Sequence, residues 1–202
     1  MDIVLDCRPI HEIVTLADTL SRRDAIAAQK QALHGYRLQQ LSQYVKREIQ
    51  PQALCHTKYG KPYLNDVAFN HSHSPQHYAL VMSQSVEDLG VDIEDLNRKI
   101  RFAGLAAHAF TPKEQQRWAQ SGEDPKYWFQ IWTAKEAIVK AAGLGIRLSL
   151  NTLETEVEYG QMQGQMQHER LGAFCYQQLQ LHTAMVTVAW RATADMPKLH
   201  CL

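Results

Sequence analysis

At 202 residues and 45% hydrophobic content the chain can bury a proper core, as one large domain or two small ones. Lys+Arg and Asp+Glu both number 21, so no whole-molecule field draws it to nucleic acid or a membrane surface, and any phosphate binding must be local. Cys7, Cys55, Cys175 and Cys201 lie far apart with no C-x-x-C pair, which argues against a zinc framework or a disulfide scaffold and for free thiols.

The chain opens with Asp2 and Asp6 around a short Ile3-Val4-Leu5 run, unlike the basic start and longer apolar stretch of a signal peptide. No run approaches the roughly 20 apolar residues that span a bilayer, so a soluble, cytoplasmic protein is expected. From about Asp24 to Ile49 there is no Pro and only Gly35, and Ile26, Leu33, Leu41, Tyr44 and Val45 recur at helical spacing. That predicts one long helix with Lys30 and Arg37 on or near its wet side. Tyr59-Gly60-Lys61-Pro62 is turn chemistry, and the apolar run Tyr78 to Met82 reads as a strand. Leu89 to Glu94 alternates, which puts Asp92 and Glu94 on one strand face and Val91 and Ile93 on the other.

Thr111-Pro112-Lys113-Glu114 is a capping box opening a helix that should stop near Gly122. Asp124-Pro125 opens a longer helix, which Gly143 can close in a left-handed conformation. On it Ile131, Ala134, Ile138, Ala141 and Ala142 make the buried face, while Trp132, Glu136 and Lys140 follow an i, i+4, i+8 line elsewhere. Leu153 to Tyr159 alternates with Glu154, Glu156 and Glu158 and predicts a half-exposed strand. Ala173 to Leu181 and Ala184 to Trp190 predict two more, paired across a turn at His182-Thr183. The element order suggests α+β, with two similar lobes possible.

Several clusters could carry chemistry, each with a bland alternative. Asp92 and Glu94 can aim carboxylate oxygens at a hard cation such as Mg2+, or lie on a solvated strand face. Glu136 and Lys140 stand in the favourable i, i+4 orientation of a surface ion pair, although the helix's other face is apolar enough that the stripe could border a cleft. Phe69-Asn70-His71-Ser72-His73-Ser74 suits phosphate oxygens about as well as it suits a polar loop. Lys30, Arg37, Lys58 and Lys61 supply the positive charge a polyphosphate requires. Carboxylates for a metal, cations and hydroxyls for phosphates, and a lysine near a leaving group together describe metal-assisted phosphoryl chemistry.

Four blocks in order resemble the Sfp-type 4'-phosphopantetheinyl transferases: Tyr59-Gly60-Lys61-Pro62, Phe69 to Ser74, Gly90-Val91-Asp92-Ile93-Glu94, and Trp132-Thr133-Ala134-Lys135-Glu136 through Gly143. The resemblance implies an α+β monomer of two similar α/β lobes related by a pseudo-twofold, residues 1–88 on the nucleotide side and 89–202 with the metal-binding carboxylates and catalytic helix. The active site would lie in the cleft between them. It implies that coenzyme A is the donor and that Asp92, Glu94 and Glu136 hold Mg2+; on such a site Glu136 is expected to take the serine proton and Lys140 to assist the departing 3',5'-ADP, which makes these two the expected catalytic residues. Arg37, Lys58, Lys61, Ser72 and His73 would bind the coenzyme A nucleotide. The partner would be an acyl or peptidyl carrier protein of fatty-acid, polyketide or nonribosomal-peptide synthesis, with neither nucleic acid nor membrane involved. Arg98, Lys99 and Arg101, with Phe102, Leu105 and Phe110, offer a docking patch for an acidic carrier helix, or a solvated turn before a core-facing helix. His71 stands where the family usually has an apolar residue, and Pro75 where a small one is common. The competing readings are a Mg2+-dependent phosphodiester or pyrophosphate hydrolase and a non-catalytic coenzyme A or carrier-protein binding module.

Overall fold

The computed structural model describes every residue except Asp18 and His182, and the side chain of Ile146 is likewise left aside. The chain opens with β1 (Asp2–Pro9), a single turn α1 (Ile10–Ile13) and the long helix α2 (Arg22–Val45). Ser21 caps α2 by accepting from the Asp24 N–H at 3.2 Å. Lys46, at φ 56°, ends it. Only Leu33, Arg37 and Leu41 of α2 are buried, one stripe at four-residue spacing. Two expectations are corrected here. Arg37 lies on the core side of the helix rather than its wet side, and Ile26 is 59% exposed because no buried residue precedes Leu33.

Next comes a two-residue hairpin, β2 (Cys55–His56) and β3 (Pro62–Tyr63), around the expected turn, where Gly60 takes φ 83°. β4 (Ala68–His73) and β5 (His77–Ser83) follow, then β6 (Gly90–Asp95). Helices α3 (Phe102–Ala109), α4 (Pro112–Gln120) and α5 (Pro125–Ala142) come between β6 and the strands β7 (Gln163–His168), β8 (Gly172–Leu181), β9 (Ala184–Arg191) and β10 (Lys198–Cys201). The capping box at Thr111 and Glu114 is formed, and Gly143 closes α5 at φ 69°.

Two four-stranded sheets result, in the orders β10-β1-β5-β4 and β6-β9-β8-β7, beside the small hairpin. The first draws its edge strand from the far end of the chain, β10 pairing parallel with β1. Period-two alternation sorts the strand residues into three cores. Ile3, Leu5, Ala79 and Val81 meet Val91, Ile93, Val186 and Val188 between the sheets. On the outer face of the first sheet Tyr78, Leu80 and Met82 pack under Leu33 and Leu41 of α2. On the outer face of the second, Phe174, Tyr176, Met185 and Ala189 pack under Ile131, Ala134 and Ile138 of α5.

β6 and α5 approach so closely that only glycine fits at position 90. A Cβ there would lie 2.1 Å from the Ala137 carbonyl oxygen and 2.4 Å from the Ala141 nitrogen, both backbone atoms that cannot rotate away. Gly90→Ala is therefore expected to destabilise the protein by about 1–3 kcal/mol or more, as overpacking does. Urea denaturation checks this, and an unchanged midpoint would count against the packing described.

The Leu153–Tyr159 strand is not formed. Leu153, Thr155 and Val157 do turn inward, but the segment joins no ladder, and Glu154 and Glu156 instead bind Arg117 at 2.8 Å each. The fourth strand of that sheet is β7, whose Gln-Gly-Gln-Met-Gln-His sequence buries only Met166 and so lacks an apolar signal. β8 and β9 pair antiparallel as expected, Leu181 opposite Ala184, while His182 of the anticipated turn lies outside the described residues. Among the described residues no helix is long and apolar enough to cross a membrane.

Candidate active site

Three of the sequence blocks meet where β4, β6 and α5 adjoin. β6 buries Val91 and Ile93 between the sheets, so Asp92 and Glu94 face the α5 side. Asp92 is 5% exposed, which corrects the solvated-strand alternative for that residue. On α5 every residue from Tyr127 to Ala141 is buried except the stripe Trp132, Glu136 and Lys140, which is part-exposed. Lys140 Nζ donates to Asp92 Oδ1 at 2.6 Å and to Ser72 Oγ at 2.8 Å, and Ser72 Oγ donates to the same Asp92 oxygen at 2.9 Å. A Glu136–Lys140 surface pair is thus not what forms; the lysine bridges to β6 and β4.

The acidic groups crowd one another. Burial, and then the charge of Asp92, push the Glu136 carboxyl above its usual range; Lys140 offsets part of this and Glu94 adds to it. Burial and Asp92 raise Glu94 likewise, against the 2.8 Å bond from Arg98. Among the described residues no three His, Cys, Asp or Glu side chains are gathered as ligands for a metal ion. The chemistry of the donors nonetheless suits a hard cation: Asp92 Oδ2 is buried without a protein partner, and it belongs to a trio of carboxylates that repel one another.

Beside this cluster lies a cavity of about 1130 Å3 between the exposed half of α2 and the β4–β5 turn. Its wall carries three cations, Lys30, Arg37 and Arg98, against one carboxylate, Glu94, which Arg98 already engages. His73, on the same wall, is exposed, and burial of its ring followed by the charge of Lys140 pulls its basicity down. Arg37 has no carboxylate partner among the described residues. Its Nη1 contacts His71 Nε2, and its Nη2 donates to His34 Nδ1 at 2.7 Å. His34 was not singled out from the sequence. The signal that could have found it is its i, i−3 spacing from Arg37, which puts both on one helix face.

Lys58 and Lys61 are not brought to this wall. They line a second cavity of about 800 Å3 between the β2–β3 hairpin and the end of α5. There Lys61 Nζ donates to the Leu89 and Ala141 carbonyls at 3.1 and 2.9 Å, and burial pushes its ammonium down to about 8. Of the anticipated docking patch, Phe110 is buried and Phe102 packs edge-on against Trp128 and Phe129, which leaves Leu105 as its exposed apolar residue beside Lys99 and Arg101.

His71 gives a pH prediction. Burial, then Arg37, push its imidazole from 6.5 down to about 3. In that interval the unfolded chain holds a proton that the folded one does not. Stability therefore falls as pH drops through it, by up to about 1.4 kcal/mol per pH unit. His71→Asn removes this term, so urea midpoints at pH 7 and pH 4.5 should differ less for the variant than for the parent.

Residues 88–189 match the family model described as 4'-phosphopantetheinyl transferase superfamily. The 4'-phosphopantetheinyl transferase HetI of Nostoc sp. is 37% identical over 95 residues, 43% of this chain and 40% of that protein. A 4'-phosphopantetheinyl transferase of Bacillus subtilis is 31% identical over 106 residues, 50% of this chain and 46% of that protein. The 4'-phosphopantetheinyl transferase gsp of Aneurinibacillus migulanus is 31% identical over 102 residues, 47% and 40%. The matched segment thus spans less than half the length of each of these relatives.

Proposed function

Because the chain belongs to the 4'-phosphopantetheinyl transferase superfamily, whose family model covers just over half of it, we propose that it moves phosphopantetheine from coenzyme A to a serine of an acyl or peptidyl carrier protein. The observation that carries this is the convergence of Ser72, Asp92 and Lys140 from three separate sequence blocks, flanked by Glu94 and Glu136. The two sheets with their covering helices, residues 1–88 and 89–202, are the two lobes of this reading, related by a pseudo-twofold. The second lends β10 to the first. Coenzyme A then lies in the cleft between them, in a monomer working in the cytoplasm.

Asp92, Glu94 and Glu136 would hold a divalent cation. When bound it supplies charge neutralisation to the coenzyme A pyrophosphate. The protein's own groups do the rest. Glu136, its proton affinity raised by burial and by Asp92, takes the proton of the carrier serine directly or through a water. The serine oxygen forms a bond to the β-phosphorus in line, and the bond from that phosphorus to the departing 3',5'-ADP oxygen breaks. Lys140, drawn off Asp92, stabilises or protonates that oxygen. Arg37, Ser72 and His73 hold the nucleotide phosphates, and Lys58 and Lys61 border it from the neighbouring cavity. Lys99, Arg101 and Leu105 meet an acidic carrier helix.

The test is intact mass of an apo carrier protein after incubation with this protein, coenzyme A and Mg2+, beside a metal-free control. A metal-dependent gain of one phosphopantetheine group is expected. No gain across acyl and peptidyl carriers, with the protein shown to be folded, would sink the reading and favour hydrolysis or binding alone.

A further inference from the structure

β4 and β6 are edges of different sheets, and a row of side chains crosses between them. Asn70, Ser72 and Ser74 stand at alternate positions and so share one face. Asn70 Oδ1 accepts from the Val91 N–H at 3.0 Å, Ser72 Oγ donates to Asp92 at 2.9 Å, and Ser74 Oγ donates to Asp95 Oδ1 at 2.7 Å. The transfer mechanism uses the middle contact and leaves the last one without a role. Asp95 is 1% exposed, and the turn between β4 and β5 takes both its oxygens. Oδ1 accepts from Ser74 and from His77 Nδ1 at 2.6 Å, and Oδ2 accepts from the Gln76 N–H at 3.0 Å. An aspartate that opens a turn ordinarily bonds within that turn. Asp95 does open one, its carbonyl accepting from the Arg98 N–H at 3.1 Å, yet its carboxylate serves the other sheet.

The β4–β5 turn needs this outside support. Its central residues are Pro75 and Gln76, and neither has a positive φ. The two-residue turns whose twist matches paired strands require a positive φ at the first central position, which the proline ring forbids. Side chains hold the turn instead. Ser74 Oγ accepts from the His77 N–H at 3.2 Å, and Asp95 binds three of the four residues from Ser74 to His77. The same turn is part of the site. His73, Ser74 and Pro75 line the larger cavity together with Glu94 and Arg98, which stand on either side of Asp95 in the chain. We propose that Asp95 is a positioning residue for the transfer: by holding the β4–β5 turn it fixes the wall that carries Ser72 and His73 at one spacing from the carboxylates of β6 and α5. Asp95 itself touches none of the reacting groups.

The inference rests on the transferase reading and concerns geometry rather than affinity. The nucleotide contacts assigned above, Arg37, Ser72 and His73, all lie on α2 and β4, so a slack turn leaves them able to bind while the phosphorus and Glu136 no longer meet in line. The test compares single-turnover transfer, at saturating coenzyme A and carrier, with coenzyme A binding by calorimetry in the parent, Asp95→Ala, Asp95→Asn and Ser74→Ala. Alanine at 95 leaves three donors without their acceptor. Asparagine serves all three positions without the charge: its oxygen can accept from the Gln76 N–H while its amide donates to Ser74 Oγ and to the other tautomer of His77.

Asp95→Ala is expected to transfer about 10–100-fold more slowly, the scale of a displacement near 1 Å, with coenzyme A affinity within about threefold of the parent. Asp95→Asn should transfer at close to the parental rate, because the hold on the turn matters and the charge does not. Should Asp95→Ala fail to fold, Ser74→Ala decides: it leaves two of the three bonds in place and should be slowed about 3–10-fold. Parental transfer by the deciding variant, a loss carried wholly by coenzyme A binding, or an Asp95→Asn as slow as Asp95→Ala each overturns the inference and leaves the transferase reading standing. No transfer by the parent overturns both.

Discussion

Glu136→Gln is expected to lower carrier-protein modification by about 100–10,000-fold, the usual contribution of a positioned general base, with little change in stability. Gln keeps the shape of the side chain and removes the carboxylate proposed to take the serine proton. The substitution also relieves a carboxyl that burial and Asp92 hold above its usual range, so the folded state loses nothing by its neutralisation. Single-turnover rates at saturating carrier, beside coenzyme A binding by calorimetry, separate the two effects. A variant that turns over within tenfold of the parent would remove Glu136 from the acid–base role, even if binding had weakened.

The neighbouring residue on the same helix should behave in the opposite way. Lys135 is fully buried, and its ammonium lies 2.6 Å from a Glu114 oxygen and 2.8 Å from the Leu150 carbonyl, with the Leu153 carbonyl as a third acceptor. Glu114 is as deeply buried and is spoken for on both oxygens. Oε2 accepts from the Thr111 N–H at 2.8 Å; Oε1 accepts from the Thr155 N–H and hydroxyl at 3.0 and 2.7 Å. Lys135→Met leaves this carboxylate buried without its counter-charge, which should cost about 3–5 kcal/mol. That is a large part of the stability of an ordinary domain. Adding Glu114→Gln to Lys135→Met removes the stranded charge while keeping an acceptor, and should recover a substantial part of the loss in urea denaturation. A single variant that loses less than about 1 kcal/mol, or a double variant that loses the sum of the two, would show that the two side chains do not act as a charged pair. The pair binds the start of α4 and residues 150–155 to α5, so it holds the Trp132–Glu136–Lys140 stripe in place without facing it.

Glu136 and Lys135 also show where sequence reasoning reaches its limit. Helical period alone separates them by about 100° on α5, and the caps at Asp124 and Gly143 set that helix within the bounds the sequence predicted. Alternation alone put Asp92 and Glu94 on one face of β6. The letters could not say that this face looks at α5, because that depends on β6 packing Val91 and Ile93 against the other sheet. The apolar period of α2 placed Leu33 and Leu41 correctly and misled at Arg37 and Ile26. Burial there follows where the first sheet ends, which no local pattern encodes. Leu153 to Tyr159 kept its in-and-out alternation without a strand partner, and β7 found a partner without an apolar pattern, since pairing with β8 supplies what its glutamines do not.

The sequence by itself determined the family and the order of the helices and central strands, because these rest on local caps, periods and motif spacing. Only the tertiary structure decided that Lys140 bridges to Asp92 and Ser72 rather than to Glu136, that Lys61 turns to the carbonyls of Leu89 and Ala141, and that Arg37 is enclosed by His34 and His71. Each of these joins residues far apart in the chain or chooses among several partners within reach of one flexible side chain. That choice is made by which neighbours the packed sheets and helices bring within hydrogen-bond distance and shield from water.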